Sequence, residues 1–351
     1  MSKSKSNGRP LWNRVFLGPL TSLKLRIDGL LLRRPHRSFH LTRRRDYTRS
    51  LELPRYWAFT GQVFQTIWSG RRQLMLAAGL YAVVSGLVVG LASQQVYYET
   101  AELLQDTGGQ LVEGGIGPVA EAGLLLGSTV IGNLTGAITP ESQAYSGLLG
   151  ILFWLLVVWL LRNQLAGKKV KFRDGLYNSG APLVSTFLVL TILILQMIPL
   201  AFAAIAYSAG AAGGLLSGGV EAMLIWLAIA LLAILSLYWS VSTLIALVIV
   251  TLPGMYPMRA IKTAGDLVIG RRIRIFLRLL FMMFVVVVSW TVVMVPVIII
   301  DSLIKSAWSA VEWVPAVPVL LLIMISLTLL FVATYIYLLY RRIVDDDAKP
   351  A

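Results

Sequence analysis

The sequence predicts an all-α, polytopic integral membrane protein, with six transmembrane helices in three hairpins and amphipathic helices lying in the membrane interface. Three observations predict it. The chain of 351 residues is 57% hydrophobic and 14% charged, with mean hydropathy +0.76, outside the range of soluble globular domains. Its apolar residues fall into six blocks free of Asp, Glu, Lys, Arg and His, of roughly the length that crosses ~30 Å of hydrocarbon as a helix. Its 31 Lys and Arg residues gather in alternate connections between those blocks.

Residues 1–50 form a basic tail, and within it residues 33–50 read RRPHRSFHLTRRRDYTRS, with seven arginines and both histidines of the chain. Residues 51–72 read as an interfacial amphipathic helix: Pro54 opens it, Trp57, Phe64, Ile67 and Trp68 follow at helical spacing, and Gly70-Arg71-Arg72 ends it. The six-helix domain covers residues 73–340. Its first block, 74–92, comes only after a long charged stretch, so it is expected to be an uncleaved anchor rather than a signal peptide. Residues 93–138 form a long outer insertion with Glu99, Glu102, Asp106, Glu113 and Glu121, interrupted by paired glycines.

The second block, 146–161, is expected to start near Thr139-Pro140-Glu141, which has the order of N-cap, first-turn Pro and first-turn acid. The third and fourth, 183–207 and 222–252, flank a small outer turn with Gly210, Gly214 and Gly218. The fifth, 279–300, and sixth, 317–340, flank an outer connection over residues 301–315 that holds Trp308 and Trp313. Residues 341–351 form a second tail, in which Asp345, Asp346 and Asp347 read as solvated.

A pattern recurs on the basic side. Residues 255–272 repeat the plan of 51–72, with Pro257 first and Gly270-Arg271-Arg272 last, and residues 168–182 are a shorter version. The third and fifth blocks also share a proline, at Pro199 and Pro296, which suggests three repeats of interfacial helix, span, turn and span.

Charge sets the expected orientation. Residues 1–72 hold 16 Lys and Arg, 162–173 hold 5, 259–278 hold 6 and the tail from Arg341 holds 3; Lys305 stands alone on the opposite side. Positive loops stay cytoplasmic during insertion, so both termini are expected inside.

Chemistry is sparse. With no cysteine, disulfides and thiolate catalysis are excluded. His36 and His40 are spaced as metal ligands on a helix could be, but Pro35, Ser38 and the crowding arginines favour a solvated pair, so no metal and no cofactor is expected. No span carries a charge away from its ends, which disfavours proton-coupled transport. Ser185, Thr191, Gln196, Tyr238, Ser240 and Thr291 are the main polar groups in the spans, read as bonded to backbone carbonyls or neighbouring helices. Gly86 and Gly90 mark a close helix contact, either within the chain or with a second copy or another membrane protein.

Six spans with basic inner turns, and residues 259–272 reading RAIKTAGDLVIGRR before the fifth, resemble the membrane domain attached to some bacterial glycerophosphodiester phosphodiesterases and related envelope proteins. The resemblance covers roughly residues 51–342. It implies a bacterial cytoplasmic membrane and a role in envelope organisation or lipid handling. The catalytic barrel of those enzymes is absent, so neither their activity nor any site residue carries over, and the chain is expected to be non-enzymatic.

The basic tail then needs a partner. Stacking aromatics are too few in it for a nucleic-acid site, and many of its charges lie too far from the first span to serve orientation alone. Anionic lipid of the inner leaflet attracts each nearby Lys or Arg by about 1 kcal/mol. The expected lipid-facing set is Arg33, Arg34, Arg37, Arg43, Arg44, Arg45, Arg49, Trp57, Trp68, Arg71, Arg72, Arg271 and Arg272. The alternative function is a small-solute transporter or channel without intramembrane charge coupling.

Because the chain lacks cysteine, single-cysteine labelling tests the orientation cleanly. In intact cells, a membrane-impermeant thiol reagent should label Thr107→Cys and spare Ser4→Cys. The reverse pattern would invert the topology.

Overall fold

The computed structural model describes residues 51, 53–88, 140–213, 218–308, 314 and 316–347. These form nine helices and no strand. In chain order they are α1 (Tyr56–Ser69), α2 (Arg71–Val88), α3 (Pro140–Leu165), α4 (Phe172–Asn178), α5 (Leu183–Ala212), α6 (Gly219–Ile249), α7 (Pro257–Val268), α8 (Arg272–Ala307) and α9 (Ala316–Asp347). Among the described residues five segments are long and apolar enough to cross a membrane: Ala144–Leu165, Leu183–Gly210, Gly219–Ile249, Arg272–Lys305 and Ala316–Asp346. The chain is a polytopic helical membrane protein. Helix α2 covers most of the first expected span, but it opens on two arginines, and residues 89–92 lie outside the described residues. The insertion at 93–138 and the tail at 1–50 lie outside them too.

Local sequence explains the boundaries. Proline occupies the first helical position of α3 and of α7, where its missing N–H costs nothing. Helix α3 ends in a Schellman turn: Gly167 adopts φ +73, its N–H donates to Gln164 O, and Lys168 N–H donates to Asn163 O. Each of α2, α5 and α8 follows a short helix, namely α1, α4 and α7. Helix α7 is the most amphipathic of these. Ala260, Ala264 and Val268, at steps of four, are buried, while Arg259 and Lys262 face outward.

Helix α9 is the hub, touching α1, α2, α3, α6, α7 and α8. Its residues Tyr335, Ile336, Leu339 and Ile343 join Phe59 and Val63 of α1, Leu74 of α2, Leu160 of α3, Ile245 of α6 and Ile275 of α8 in one core. That core lies toward the ends of the helices that carry the basic turns. Far from those turns the helices are apolar on the outside: Ile194, Phe202 and Ile205 of α5, and Leu224, Leu227 and Leu231 of α6, are exposed. Lipid is as apolar as leucine, so no hydrophobic force drives such residues together, and they face hydrocarbon.

Most polar groups described in the spans find a partner on their own or a neighbouring helix, the buried Thr186 hydroxyl being an exception. Thr191 and Thr291 donate to the carbonyls of Phe187 and Val287, each a turn back. Ser240 donates to Ser236 O at 2.8 Å, and Thr243 Oγ1 donates to Gln196 Oε1 at 2.6 Å. Pro199 inside α5 frees the carbonyl of Leu195, and the adjoining carbonyl, Gln196 O, accepts from Ser236 Oγ at 2.6 Å. Tyr238 is placed otherwise than expected. Its exposed ring lies 3.8 Å from the Arg272 guanidinium, so it stands beside the start of α8.

Two helices run past their expected C-terminal limits into charged residues. Helix α8 runs through Asp301 to Ala307, beyond the expected start of the outer connection. Lys305 Nζ lies 2.7 Å from Asp301 Oδ2, an i,i+4 pair that neutralises both charges within the helix. Helix α9 likewise runs on to Asp347. Asp346 is no solvated tail residue; it is paired with Arg271 at 2.9 Å, both side chains nearly fully buried.

Tyr335 is the largest wholly buried side chain, edge-on to Phe59 at 4.8 Å, with its hydroxyl donating to Arg278 O at 3.1 Å. Tyr335→Phe should cost about 0.5–1.5 kcal/mol and Tyr335→Ala about 3–5 kcal/mol. Thermal unfolding in detergent should rank the two variants in that order; equal midpoints would remove Tyr335 from the core.

Candidate functional site: a basic cleft beside an exposed tryptophan stripe

Helix α1 has two apolar faces. Phe59, Val63 and Ile67, at steps of four, are buried against the fold. Trp57, Phe64 and Trp68 form a second, largely open stripe, with Trp57 68% and Trp68 66% exposed. Within it Trp57 meets Phe281 edge-on at 5.2 Å and Phe64 meets Phe331 at 5.3 Å. An exposed apolar stripe marks a contact with another protein or with membrane, and tryptophan is enriched at the membrane–water interface. The stripe ends in charge: the Arg71 guanidinium lies 5.1 Å from the Trp68 ring, and Arg71 and Arg72 are both exposed.

Behind those arginines lies a cleft of about 590 Å³. One wall is the joint between α1 and α2, from Ser69 to Gln73; the other is the end of α3 and the turn after it, with Gln164 and residues 167–170. Side-chain amides lace the walls together. Gln73 Nε2 donates to Val170 O, and Gln164 Nε2 donates to Ser69 Oγ at 2.9 Å. The Gln164 carboxamide packs directly over Gly70, whose Cβ, if present, would come within 2.2 Å of Gln164 Oε1 and push that side chain aside. The Schellman turn at Gly167 then turns the chain so that Lys168 and Lys169 line the opposite wall from Arg71 and Arg72.

Four cations therefore share one cleft, and among the described residues no carboxylate pairs with them. Asp174, close by in sequence, is committed elsewhere, accepting from Lys171 N–H at 3.0 Å at the start of α4. The sequence marked Arg71 and Arg72 but not Lys168 and Lys169. Those lysines read only as topology signals, because nothing local in the sequence brings residue 168 to residue 71.

Other expected residues are scattered. Arg272 is half-buried, stacks on Tyr238 and donates to its carbonyl at 3.1 Å. Arg271 corrects the expectation of a lipid-facing side chain: it is 4% exposed and bound to Asp346 and to Ile343 O. A guanidinium already held by a buried carboxylate is not free for a headgroup. Gly86 packs on α9, where a Cβ would lie 3.2 Å from Leu322 Cδ1, so its close contact is within the chain. Gly90 and the tail arginines Arg33, Arg34, Arg37, Arg43, Arg44, Arg45 and Arg49 lie outside the described residues.

No family model matches this chain, and no curated protein or solved structure is detectably similar to it. Chemistry alone must identify the site. Among the described residues no group of three or more His, Cys, Asp or Glu side chains is placed to hold a metal. What the cleft offers is concentrated positive charge beside an interfacial stripe, suited to an anion at the membrane surface.

The buried pair gives a sharp test of the frame under this site. Asp346→Asn leaves Arg271 buried without its carboxylate and should destabilise the protein by on the order of 3–5 kcal/mol. Arg271→Met combined with Asp346→Leu should recover most of that loss in detergent unfolding. A double variant no better than the single one would show that the pair is not coupled.

Proposed function

We propose that the protein is a non-enzymatic, multi-pass component of a bacterial cytoplasmic membrane, acting in envelope organisation or lipid handling by holding anionic lipid at its basic face. In this reading the apolar block at 74–92, most of which α2 covers, is the sixth span, and both termini lie in the cytoplasm. The observation that carries the reading is the exposed Trp57–Trp68 stripe running directly into Arg71 and Arg72. Aromatic rings settle at headgroup depth, and cations at the same depth attract anionic headgroups. The tail arginines Arg33, Arg34, Arg37, Arg43, Arg44, Arg45 and Arg49 supply further positive charge for anionic lipid.

The polar residues of α5 and α6 favour this reading over a solute pathway. Gln196, Ser236, Ser240 and Thr243 bond to one another, to backbone carbonyls and to Met197. Groups engaged in this way hold two helices together and offer little to a passing solute.

Native mass spectrometry of the full-length protein, extracted from its host membrane, tests the proposal. Retained lipid should be enriched in anionic species relative to the bulk membrane. Changing Arg43, Arg44 and Arg45 together to Gln should reduce that enrichment, as should raised salt. Retained lipid that mirrors the bulk composition, or RNA retained in preference to lipid, would overturn it.

A further inference from the structure

We infer that the cleft between the α1–α2 joint and the turn after α3 is a discrete, one-to-one binding site for a phosphate group, gripped by Arg71 and Arg72 from one side and Lys168 and Lys169 from the other. The inference deepens the proposed lipid role and rests on it only for the source of the phosphate. General adhesion to an anionic surface needs no cavity and no fixed geometry. Here both are present.

The cleft, about 590 Å³, is shallow and open on one side, so it can receive the head of an anion without enclosing it. Its walls are held by Gln73 to Val170 O and Gln164 to Ser69, so the four cations are presented by braced backbone rather than by independent loops. Four basic residues line the same cleft, and an anion among them relieves the repulsion of like charges on one surface. No carboxylate of the described residues does so. Phosphate suits this set: an arginine fork can take two of its oxygens, while lysines act as movable point charges on the remaining ones.

Position also matters. Arg71 rests on Trp68, whose exposed ring marks the interface, so the cleft lies at the depth where phosphate headgroups sit. A lipid phosphate would arrive from the bilayer side and a free phosphate ester from the aqueous side. The chemistry recognised is the same.

The test uses purified full-length protein in mild detergent, titrated with short-chain phosphatidic acid, with short-chain phosphatidylcholine, or with glycerol 3-phosphate. Native mass spectrometry reads the stoichiometry. Lys168→Gln with Lys169→Gln removes two cleft charges; Arg259→Gln with Lys262→Gln removes two equally exposed charges on α7, away from the cleft. A single equivalent of phosphatidic acid or glycerol 3-phosphate should bind, about tenfold more weakly in the cleft variant. The α7 variant should stay within about twofold of the parent, and Lys168→Arg with Lys169→Arg should restore binding. Saturation by phosphatidic acid alone assigns the site to lipid, and by glycerol 3-phosphate to a soluble ester. Equal weakening in both charge variants, graded multiple binding, or equal affinity for phosphatidylcholine would overturn the inference. Either result reads apart from the tail experiment, because Arg43, Arg44 and Arg45 are intact in every variant.

Discussion

The contact between α8 and α9 at the basic end is the constraint on which the rest of the fold depends. A helix in hydrocarbon gains nothing from burying leucine against leucine, so a membrane bundle must be fixed by packing and by polar contacts. Three such contacts fix α8 to α9. Arg271 meets Asp346 and Ile343 O, Tyr335 donates to Arg278 O, and Trp290 donates to Thr328 Oγ1 at 2.9 Å. Their order along the two helices is antiparallel, so together they define a register that one contact could not. Arg278 also donates to Pro54 O and lies 4.1 Å from the Tyr56 ring, which seats the start of α1 against the same pair.

Once α1 is seated, the site follows from it. Phe59, Val63 and Ile67 occupy the core, so the flanking stripe of Trp57, Phe64 and Trp68 lies at its edge, touching Phe281 and Phe331 and otherwise open. The joint at Gly70 then meets Gln164 at the end of α3, and the lysines after Gly167 come to face the arginines after Gly70. Thus a buried ion pair at the end of α9 and an exposed basic cleft belong to one mechanical chain. The ion pair's energetic worth is small or negative against an apolar pair of the same shape. Its value lies in register, since a carboxylate at position 346 accepts only one alignment with the guanidinium at 271.

Helices were legible in the sequence wherever the signal was local. Blocks of uncharged residues located α3, α5, α6, α8 and α9, and Pro140 and Pro257 gave two of their neighbouring starts to the residue. Long-range pairing was not legible. Asp301 was expected to end a span because a lone carboxylate does not belong in hydrocarbon, yet Lys305 one turn on neutralises it and the helix continues. Asp346 looked like solvated tail because its partner is some seventy positions away. The cleft shows the same limit: Arg71 and Arg72 stood out as a basic pair ending an amphipathic stretch, while Lys168 and Lys169 required the fold to place them beside that pair.

The distribution of charge links these cases. Insertion demands that basic residues collect on one side of the membrane, but it is indifferent to what each does afterwards. Folding then sorts them by whether an acceptor lies within reach. Arg271 finds a carboxylate, Arg278 a carbonyl and aromatic rings, Arg162 the carbonyl of Thr251 at 3.1 Å, and Arg272 the ring and carbonyl of Tyr238. Each of these becomes structural. Acidic residues are scarce on the same side, and Asp174 and Asp346 are already engaged. Cations brought together after the acceptors run out, such as Arg71, Arg72, Lys168 and Lys169, keep their attraction for an external anion. A topological rule that acts on loops without regard to function therefore leaves, as its residue, a surface chemically suited to phosphate.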